Sequence, residues 1–130
     1  MKLLTKAEEQ VMQVLWKLEK AYVRDILDQM SRPRPAYNTV STIVRILEKK
    51  GFVGYTVHGK SHEYYPLITK KDYRSTYFRG FMKNYFGNSY RSLASFFTRE
   101  QDLSIDELEE IRNLIEQEIE SKLEHQKREE

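Results

Sequence analysis

The stretch "YNTVSTIVRILEKKG", residues 37–51, has the periodicity of a helix with one apolar face. Its apolar residues follow the i, i+3, i+4, i+7 spacing, at Val40, Ile43, Val44 and Leu47. The opposite side begins with small hydrogen-bonding side chains and continues with cations, at Asn38, Thr42, Arg45 and Lys49. A helix that only faces solvent usually mixes charges of both signs there. The sequence therefore predicts that this outer face meets a partner.

Two helices are predicted before this stretch. Thr5 and Glu8 have the spacing of a capping box, and the apolar residues after them predict a helix over about residues 6–20. We assign Trp16 to the core or to its edge. A shorter helix over about residues 22–30 ends at "SRPRP", because each proline lacks an amide N–H and disfavours a helical residue before it.

The periodicity changes after Gly51, which is placed to end the helix as a left-handed cap. "FVGYTVHGKSHEYYPLI", residues 52–68, alternates β-branched and aromatic residues around "HGKS", and so predicts a β-hairpin. Three short helices followed by a hairpin are the order of a winged helix-turn-helix. The predicted fold class is mainly α with a small β-hairpin: a winged helix-turn-helix DNA-binding domain at residues 1–72, followed by a helical dimerisation region at residues 73–130.

The helical pattern of the back half is more apolar than a small domain needs. An aromatic band covers residues 73–86, and a last helix runs from Ser104, with Glu107 as its capping-box partner, to about Lys122. Between them, residues 92–103 are predicted to be a connector. The excess apolar surface favours burial against a second copy, and the carboxylates of the last helix argue against a membrane-surface role. The predicted dimerisation residues are Tyr73, Phe78, Phe81, Tyr85, Phe86, Leu108, Ile111, Ile115 and Ile119.

The composition excludes several kinds of site. The chain has no cysteine and only three histidines, so thiolate sites and disulfides are ruled out and no metal centre is expected. It has no phosphate-binding glycine loop, HExxH motif or nucleophile elbow, so we expect neither an enzyme nor a cofactor. No apolar run reaches the roughly 20 residues of a membrane span. The N-terminus, "MKLLTKAEEQ", lacks the apolar core of a signal peptide, and we expect a cytoplasmic protein without stable membrane association.

Charge is distributed unevenly along the chain. Residues 1–72 carry 13 Lys and Arg against 8 Asp and Glu, whereas residues 73–130 carry 9 against 12. A basic front half favours a polyanionic partner. In a helix-turn-helix the second helix enters the major groove of DNA, so the polar helix face, the basic turn before it and the hairpin after it would meet one duplex. The predicted DNA-binding residues are Arg32, Arg34, Asn38, Thr39, Ser41, Thr42, Arg45, Lys49, His58 and Lys60.

Four segments resemble, in order and spacing, the penicillinase-repressor family of winged-helix transcriptional repressors: "LTKAEEQVMQVLW", "YVRDIL", "NTVSTIVRILEKKGFV" and "YYPLI". The resemblance continues through "FGNSYRSLASFFTREQDLSIDELEEIRNLI", which is similar to the family's dimerisation helices. It implies a homodimer that binds a pseudo-palindromic operator and represses transcription. It further implies a membrane-bound sensor metallopeptidase, whose signal leads to cleavage of the repressor in the connector around residues 92–103.

Two departures from the family pattern bear on the inducing signal. The β-lactam-responsive members are cut between an asparagine and a phenylalanine, and counting back from "DLS" places that pair at Phe96 and Phe97. The asparagine is absent, so this candidate cleavage region lacks the residue pair at which the β-lactam-responsive members are cut. The copper-responsive branch uses paired C-terminal cysteines, and this chain has none. The resemblance therefore leaves the operator sequence, the regulated genes and the signal open.

Two other interpretations remain open at the level of sequence. In a ligand-sensing winged-helix regulator, the aromatic band at residues 73–86 would line a pocket for a small lipophilic molecule among the C-terminal helices. The second is a protein-interaction module, which the acidic tail alone would permit. The basic turn and the cations of the hairpin favour DNA binding over this second interpretation.

Overall fold

A computed structural model describes residues 2–129 of the chain. Within this range it contains six α-helices and one antiparallel hairpin, which confirms the predicted fold class. The chain forms two compact units: the N-terminal unit, which ends at Gly80, and the C-terminal unit, which begins at Phe81. The elements are α1 (Lys6–Leu18), α2 (Val23–Gln29), α3 (Tyr37–Lys49), β1 (Val53–His58), β2 (Ser61–Pro66), α4 (Lys70–Phe86), α5 (Tyr90–Arg99) and α6 (Ile105–Glu129).

The predicted capping box starts α1. The Thr5 hydroxyl accepts a hydrogen bond from the Glu8 amide at 3.2 Å, and the Glu8 carboxylate accepts one from the Thr5 amide at 2.8 Å. The Glu8 side chain is buried and also pairs with Lys50 Nζ at 2.8 Å. Burial acts to raise the pKa of Glu8, but Lys50 and Thr5 together outweigh it, so the pKa lies below its usual value. This carboxylate ties the start of α1 to the end of α3.

A left-handed glycine ends α3, as predicted. Gly51 has a φ of +82°, a conformation that a side chain would strain. The Gly51 amide donates to the Glu48 carbonyl at 3.0 Å, and the Phe52 amide donates to the Leu47 carbonyl at 2.9 Å, which completes a Schellman motif. Because Phe52 is itself buried in the core, the motif fixes the direction in which the chain leaves α3 for the hairpin.

The hairpin pairs β1 with β2 around Gly59 and Lys60, the predicted turn. Gly59 has a φ of +64°, which two-residue turns of this kind favour. Ala21, in the segment between α1 and α2, pairs with Tyr64 of β2 through two backbone hydrogen bonds of 2.9 and 2.8 Å. This bridge holds the hairpin against the helices as a wing.

The core of the N-terminal unit is formed by α1, α2, α3 and the base of the hairpin, and α4 joins it through Tyr73. The Tyr73 hydroxyl accepts a hydrogen bond from the Leu4 amide at 3.0 Å. Its ring packs against Trp16 and Phe52, with centroids 5.9 Å away in each case. Trp16 lies at the edge of the core, as predicted, and its indole N–H donates to the Ile68 carbonyl at 2.8 Å. The buried members of this core are Val11, Met12, Leu15, Ala21, Val23, Ile26, Leu27, Val40, Val44, Leu47, Phe52, Val53, Tyr64 and Tyr73.

Tyr73 does not have the position expected of a dimerisation residue. Its side chain is only 5% exposed, and both its ring and its hydroxyl are engaged within the N-terminal unit. It therefore offers little surface to a second copy. The other predicted dimerisation residues lie further along α4 and on α6.

The predicted connector at residues 92–103 is wrong for most of its length, because Tyr90–Arg99 form α5. The Ser89 hydroxyl accepts a hydrogen bond from the Ser92 amide at 3.1 Å and caps this helix. Phe96 packs on Phe86, with ring centroids 5.5 Å apart, so the apolar residues of the segment form a helix face rather than a loop. Phe96 and Phe97 therefore lie inside a helix, and irregular chain is limited to residues 100–104.

The last helix begins where the sequence predicts and ends later. Ser104 and Glu107 form the predicted capping box through two hydrogen bonds of 3.1 Å. The helix continues beyond Lys122 to Glu129. Neither α5 nor α6 contains a buried residue. Within residues 2–129, no helix is both long and apolar enough to cross a membrane.

Candidate nucleic-acid interface

A groove of 620 Å³ opens between α2, the N-terminal half of α3 and the wing. Elements that are distant in sequence meet here because the Ala21–Tyr64 bridge holds the wing against the helices. Four of the predicted DNA-binding residues line the groove: Ser41, Arg45, His58 and Lys60. The other lining residues are Tyr22, Val23, Arg24, Asp25, Tyr37, Ser61, His62 and Tyr64.

The outer face of α3 presents the polar side chains that its sequence predicts. The Arg45 guanidinium donates to the Ser41 hydroxyl at 3.3 Å, one turn earlier in the helix. Arg45 has five N–H donors, and this contact uses one of them. The guanidinium can therefore also pair with a guanine edge or a phosphate. The exposed residues of this face are Asn38, Thr39, Thr42, Arg45 and Lys49.

Arg24 of α2 is a groove residue that the sequence reasoning missed. Its guanidinium lies over the Tyr37 ring, 5.3 Å from the centroid, which is a cation–π distance. Tyr37 is the first residue of α3 and is 45% exposed. The pair therefore joins α2 to the start of α3 and adds a cation to the groove. The available signal was an exposed arginine on the helix that precedes the turn.

The wing supplies the other cationic edge of the groove. Lys60 occupies the turn, and no other residue that the structure describes forms an ion pair or hydrogen bond with its ammonium group. His58 Nε2 lies 3.3 Å from the Glu63 carboxylate on the opposite strand. His62 stacks on Tyr55, with ring centroids 4.3 Å apart and planes 5° from parallel. Lys60 is thus the wing side chain with the most freedom to meet a phosphate.

Tyr64 lies at the base of this groove. It is nearly buried, and burial, with the nearby Glu48 carboxylate as a second cause, raises the pKa of its hydroxyl. The hydroxyl is therefore neutral, and able to donate, throughout the physiological pH range. Asp25 also lines the groove, but its carboxylate accepts a hydrogen bond from the Tyr22 amide at 3.0 Å.

The basic turn contributes less to the groove than its sequence suggests. The Arg34 guanidinium donates to the Asp28 carbonyl at 3.0 Å and to the Met30 carbonyl at 3.4 Å, so part of its donor capacity holds the turn itself. Arg32 is exposed. The predicted residues that do not line the groove are Arg32, Arg34, Asn38, Thr39, Thr42 and Lys49.

The structure offers no arrangement for a metal ion within residues 2–129, where no three His, Asp or Glu side chains cluster. His58 and His62 do not face each other across the hairpin. The register instead pairs His58 with Ser61 and His62 with Val57.

The chain is similar to known repressors over most of its length. It is 29% identical over 113 residues to the methicillin resistance regulatory protein MecI of Mammaliicoccus sciuri, covering 86% of this chain and 92% of that protein. It is 25% identical over 112 residues to the penicillinase repressor of Bacillus licheniformis, covering 85% and 88%. The solution structure of the DNA binding domain of the repressor BlaI is 28% identical, with a TM-score of 0.48, covering 54% of this chain and 87% of that one.

A family comparison covers more of the chain than the winged helix alone. The family described as penicillinase repressor matches residues 4–117, which include all groove residues, α1 to α5 and the first half of α6. The chain therefore belongs to the penicillinase repressor family of DNA-binding transcriptional repressors.

Proposed function

We propose that this protein represses transcription by binding a pseudo-palindromic operator as a homodimer. The observation that most supports the DNA-binding part is the groove, where Arg24 of α2, Arg45 of α3 and Lys60 of the wing converge. Cations from three separate elements on one surface match the phosphate lattice of a duplex. Within residues 2–129, Asp25 is the one acidic residue that lines this groove, and its carboxylate accepts a hydrogen bond from the Tyr22 amide.

In the proposed complex, α3 lies in the major groove of DNA. Its N-terminal residues, including Asn38 and Ser41, approach the base edges, and Arg45 pairs with a guanine. The wing then lies beside the adjacent backbone, where Lys60 and His58 contact phosphates. The Arg24–Tyr37 pair joins α2 to the start of α3 and so orients the first turn of α3.

The C-terminal unit supports the homodimer. Ile115 and Ile119 are one helical turn apart on α6 and are 51% and 52% exposed, and Tyr85 of α4 is 75% exposed. An exposed apolar stripe along α6 favours burial in an interface, and a symmetric dimer covers it with the same stripe of a second copy. The two half-sites should then lie about 10 bp, or a multiple of this spacing, apart.

Proteolysis is the proposed mode of relief, with a membrane-bound sensor metallopeptidase as the upstream partner. Membership of the family supports proteolytic relief. The presence of α5 limits where the chain is accessible to a protease. Proteases cut exposed, irregular chain most readily, whereas Phe96 and Phe97 are half-buried in a helix. Cleavage at Phe96–Phe97 therefore requires α5 to unwind locally, while residues 100–104 are already irregular.

The test of this function begins with the full-length protein and a library of random duplexes. Repeated selection should enrich an inverted repeat, because each copy in a symmetric dimer reads one half-site. Enrichment of a single unrepeated site would contradict the dimeric reading. Recovery of unchanged random sequence would contradict specific DNA binding.

Arg45→Ala then tests the base contact on the enriched operator. The variant should lose about 1–3 kcal/mol of binding free energy on the operator and much less on random duplex, measured by fluorescence anisotropy. Arg74→Ala is the matched control, because Arg74 is exposed on α4 and does not line the groove. An equal loss on both duplexes would reassign Arg45 to a phosphate contact.

A further inference from the structure

A second groove runs between α1 and the start of α4, within the N-terminal unit. It has two adjoining parts, of 200 and 360 Å³, which share Gln13, Trp16 and Lys70. None of its lining residues lines the first groove, which lies between α2, α3 and the wing. Small-molecule sites commonly occupy about 300–1,000 Å³, so the two parts together are large enough for a ligand of one ring and a short chain.

One part of this groove is aromatic. Trp16, Tyr73 and Tyr77 line it, with centroids 5.9 Å apart between Trp16 and Tyr73 and 6.4 Å apart between Tyr73 and Tyr77. Two of the rings are held in place before any ligand arrives: Trp16 donates to the Ile68 carbonyl, and the Tyr73 hydroxyl accepts from the Leu4 amide. A rigid aromatic wall of this kind offers stacking and edge contacts to another planar ring.

The other part of the groove is cationic. Lys17 and Lys70 both line it, and no carboxylate is among its lining residues. Neither ammonium group forms an ion pair or hydrogen bond with another residue that the structure describes. Lys70 also lines the aromatic part, together with Glu9 and Arg74, so the described residues line the whole groove with three cationic side chains and one carboxylate. The net preference of the groove is therefore for a negative charge at the lysine end.

We propose that this groove binds a small aromatic carboxylate. The ring lies against the accessible parts of Trp16 and Tyr77, and the carboxylate reaches Lys17 and Lys70. A neutral lipophilic molecule would gain nothing from the two lysines, and an organic cation would be repelled by them. The aromatic band therefore does line a ligand site, but at its first two members and in the N-terminal unit rather than among the C-terminal helices.

The single tryptophan of the chain makes the site directly observable, because Trp16 is part of its wall. Full-length protein is titrated with 3-phenylpropionate in the absence of DNA, and the fluorescence of Trp16 is recorded. We expect a saturable change with a Kd of about 1 mM, as is usual for a ligand of this size. The neutral 3-phenylpropanamide should bind more weakly, since it keeps the ring and loses the charge.

The lysines provide the decisive variants. Lys17→Gln with Lys70→Gln should weaken 3-phenylpropionate binding about tenfold, and should remove the difference between the acid and the amide. Lys71→Gln is the matched control, because Lys71 is the next residue on α4, is exposed and does not line the groove. All three lysines are exposed, so these substitutions leave the core intact.

Three results would overturn the proposal: no saturable change at roughly tenfold the expected Kd, equal affinity for the acid and the amide, or equal affinity in the lysine double variant and the Lys71→Gln control. None of these results depends on whether the protein binds an operator. The DNA-binding proposal and the ligand proposal therefore succeed or fail separately.

Discussion

The N-terminal and C-terminal units use similar amphipathic helices but place the apolar side chains differently. In the N-terminal unit, three helices and a hairpin enclose one core, in which Met12, Leu15 and Phe52 are almost completely buried. Within residues 81–129, Met82 is the one side chain with comparable burial. None of the 25 residues of α6 is buried.

The contrast shows what an apolar stripe does and does not specify. It specifies that a helix has a face to cover, because exposed apolar surface is unfavourable in water. It does not specify whether the cover comes from the same chain. In the N-terminal unit the cover is supplied by neighbouring elements, whereas in the C-terminal unit we infer that a second copy supplies it.

Removing α6 is the change with the largest expected effect on this contrast. A fragment of residues 1–96 should sediment as a monomer and bind the operator ~100-fold or more weakly, because it loses the second half-site at high effective concentration. The N-terminal unit should remain folded, since its core lies entirely before the cut. Sedimentation gives the mass, circular dichroism the fold, and anisotropy the affinity.

The 1–96 fragment ends inside α5, so its lower affinity could also come from damage to that helix. A full-length variant distinguishes this from loss of the dimer. Ile115→Lys with Ile119→Lys places two charges on the apolar face of α6 and should reproduce the loss of affinity. Gln117→Lys with Ser121→Lys adds the same charge on the opposite side of the helix and should have little effect. A dimeric 1–96 fragment, or full affinity in the isoleucine variant, would show that α6 does not hold the dimer.

The next largest effect concerns the stability of the N-terminal unit alone. Glu8→Ala should lower the free energy of unfolding by about 2 kcal/mol, because it removes the ion pair with the partly exposed Lys50 and the side-chain half of the capping box of α1. Glu9→Ala is the matched control, since the neighbouring Glu9 is not buried and no residue within 2–129 forms an ion pair with it. Denaturant unfolding, followed by circular dichroism, measures the free energy of unfolding of both variants.

The same residue predicts a dependence on pH. The pKa of Glu8 is lowered in the folded protein, so its contribution is fully present above the ordinary carboxyl pKa of 4.5 and is lost as the pH falls through the depressed folded value. The stability difference between the wild-type protein and Glu8→Ala should shrink over that acidic range. A difference that stays constant to low pH would mean that the Lys50 pair contributes little.

Most of the fold was predictable because its signals are local. The Thr5–Glu8 box, the glycine at position 51 and the change to alternating residues each fix a boundary through a few neighbouring backbone groups. The α5 helix was missed although its signals are also local, because Ser89 caps it and Leu93, Phe96 and Phe97 have helical spacing. The burial of Tyr73 is different, since it depends on packing against Phe52, which is distant in sequence.

The candidate interface was predictable only in part. Arg45 and Lys60 could be proposed because one lies on a helix face opposite a buried stripe and the other lies in a hairpin turn. Arg24 could not be proposed from the sequence, because its place in the groove depends on how the chain between α2 and α3 brings it over Tyr37. Arg34 stays a prediction: its basic neighbourhood suggests DNA, and its guanidinium also binds carbonyl groups of its own turn.

The smallest expected effect is at the wing, and it tests whether the hairpin of the N-terminal unit contacts DNA at all. Lys60→Ala should weaken binding to operator and to random duplex alike, because a phosphate contact carries no sequence information. It should also reduce the magnitude of the slope of log K against log salt concentration by roughly one unit, since one fewer counterion is displaced. Lys71→Ala serves as the control, because Lys71 is equally exposed but lies on α4, outside the groove. Anisotropy titrations over a series of salt concentrations measure the slope, and a slope equal to that of the control would remove Lys60 from the interface and leave α3 as the DNA-contacting element.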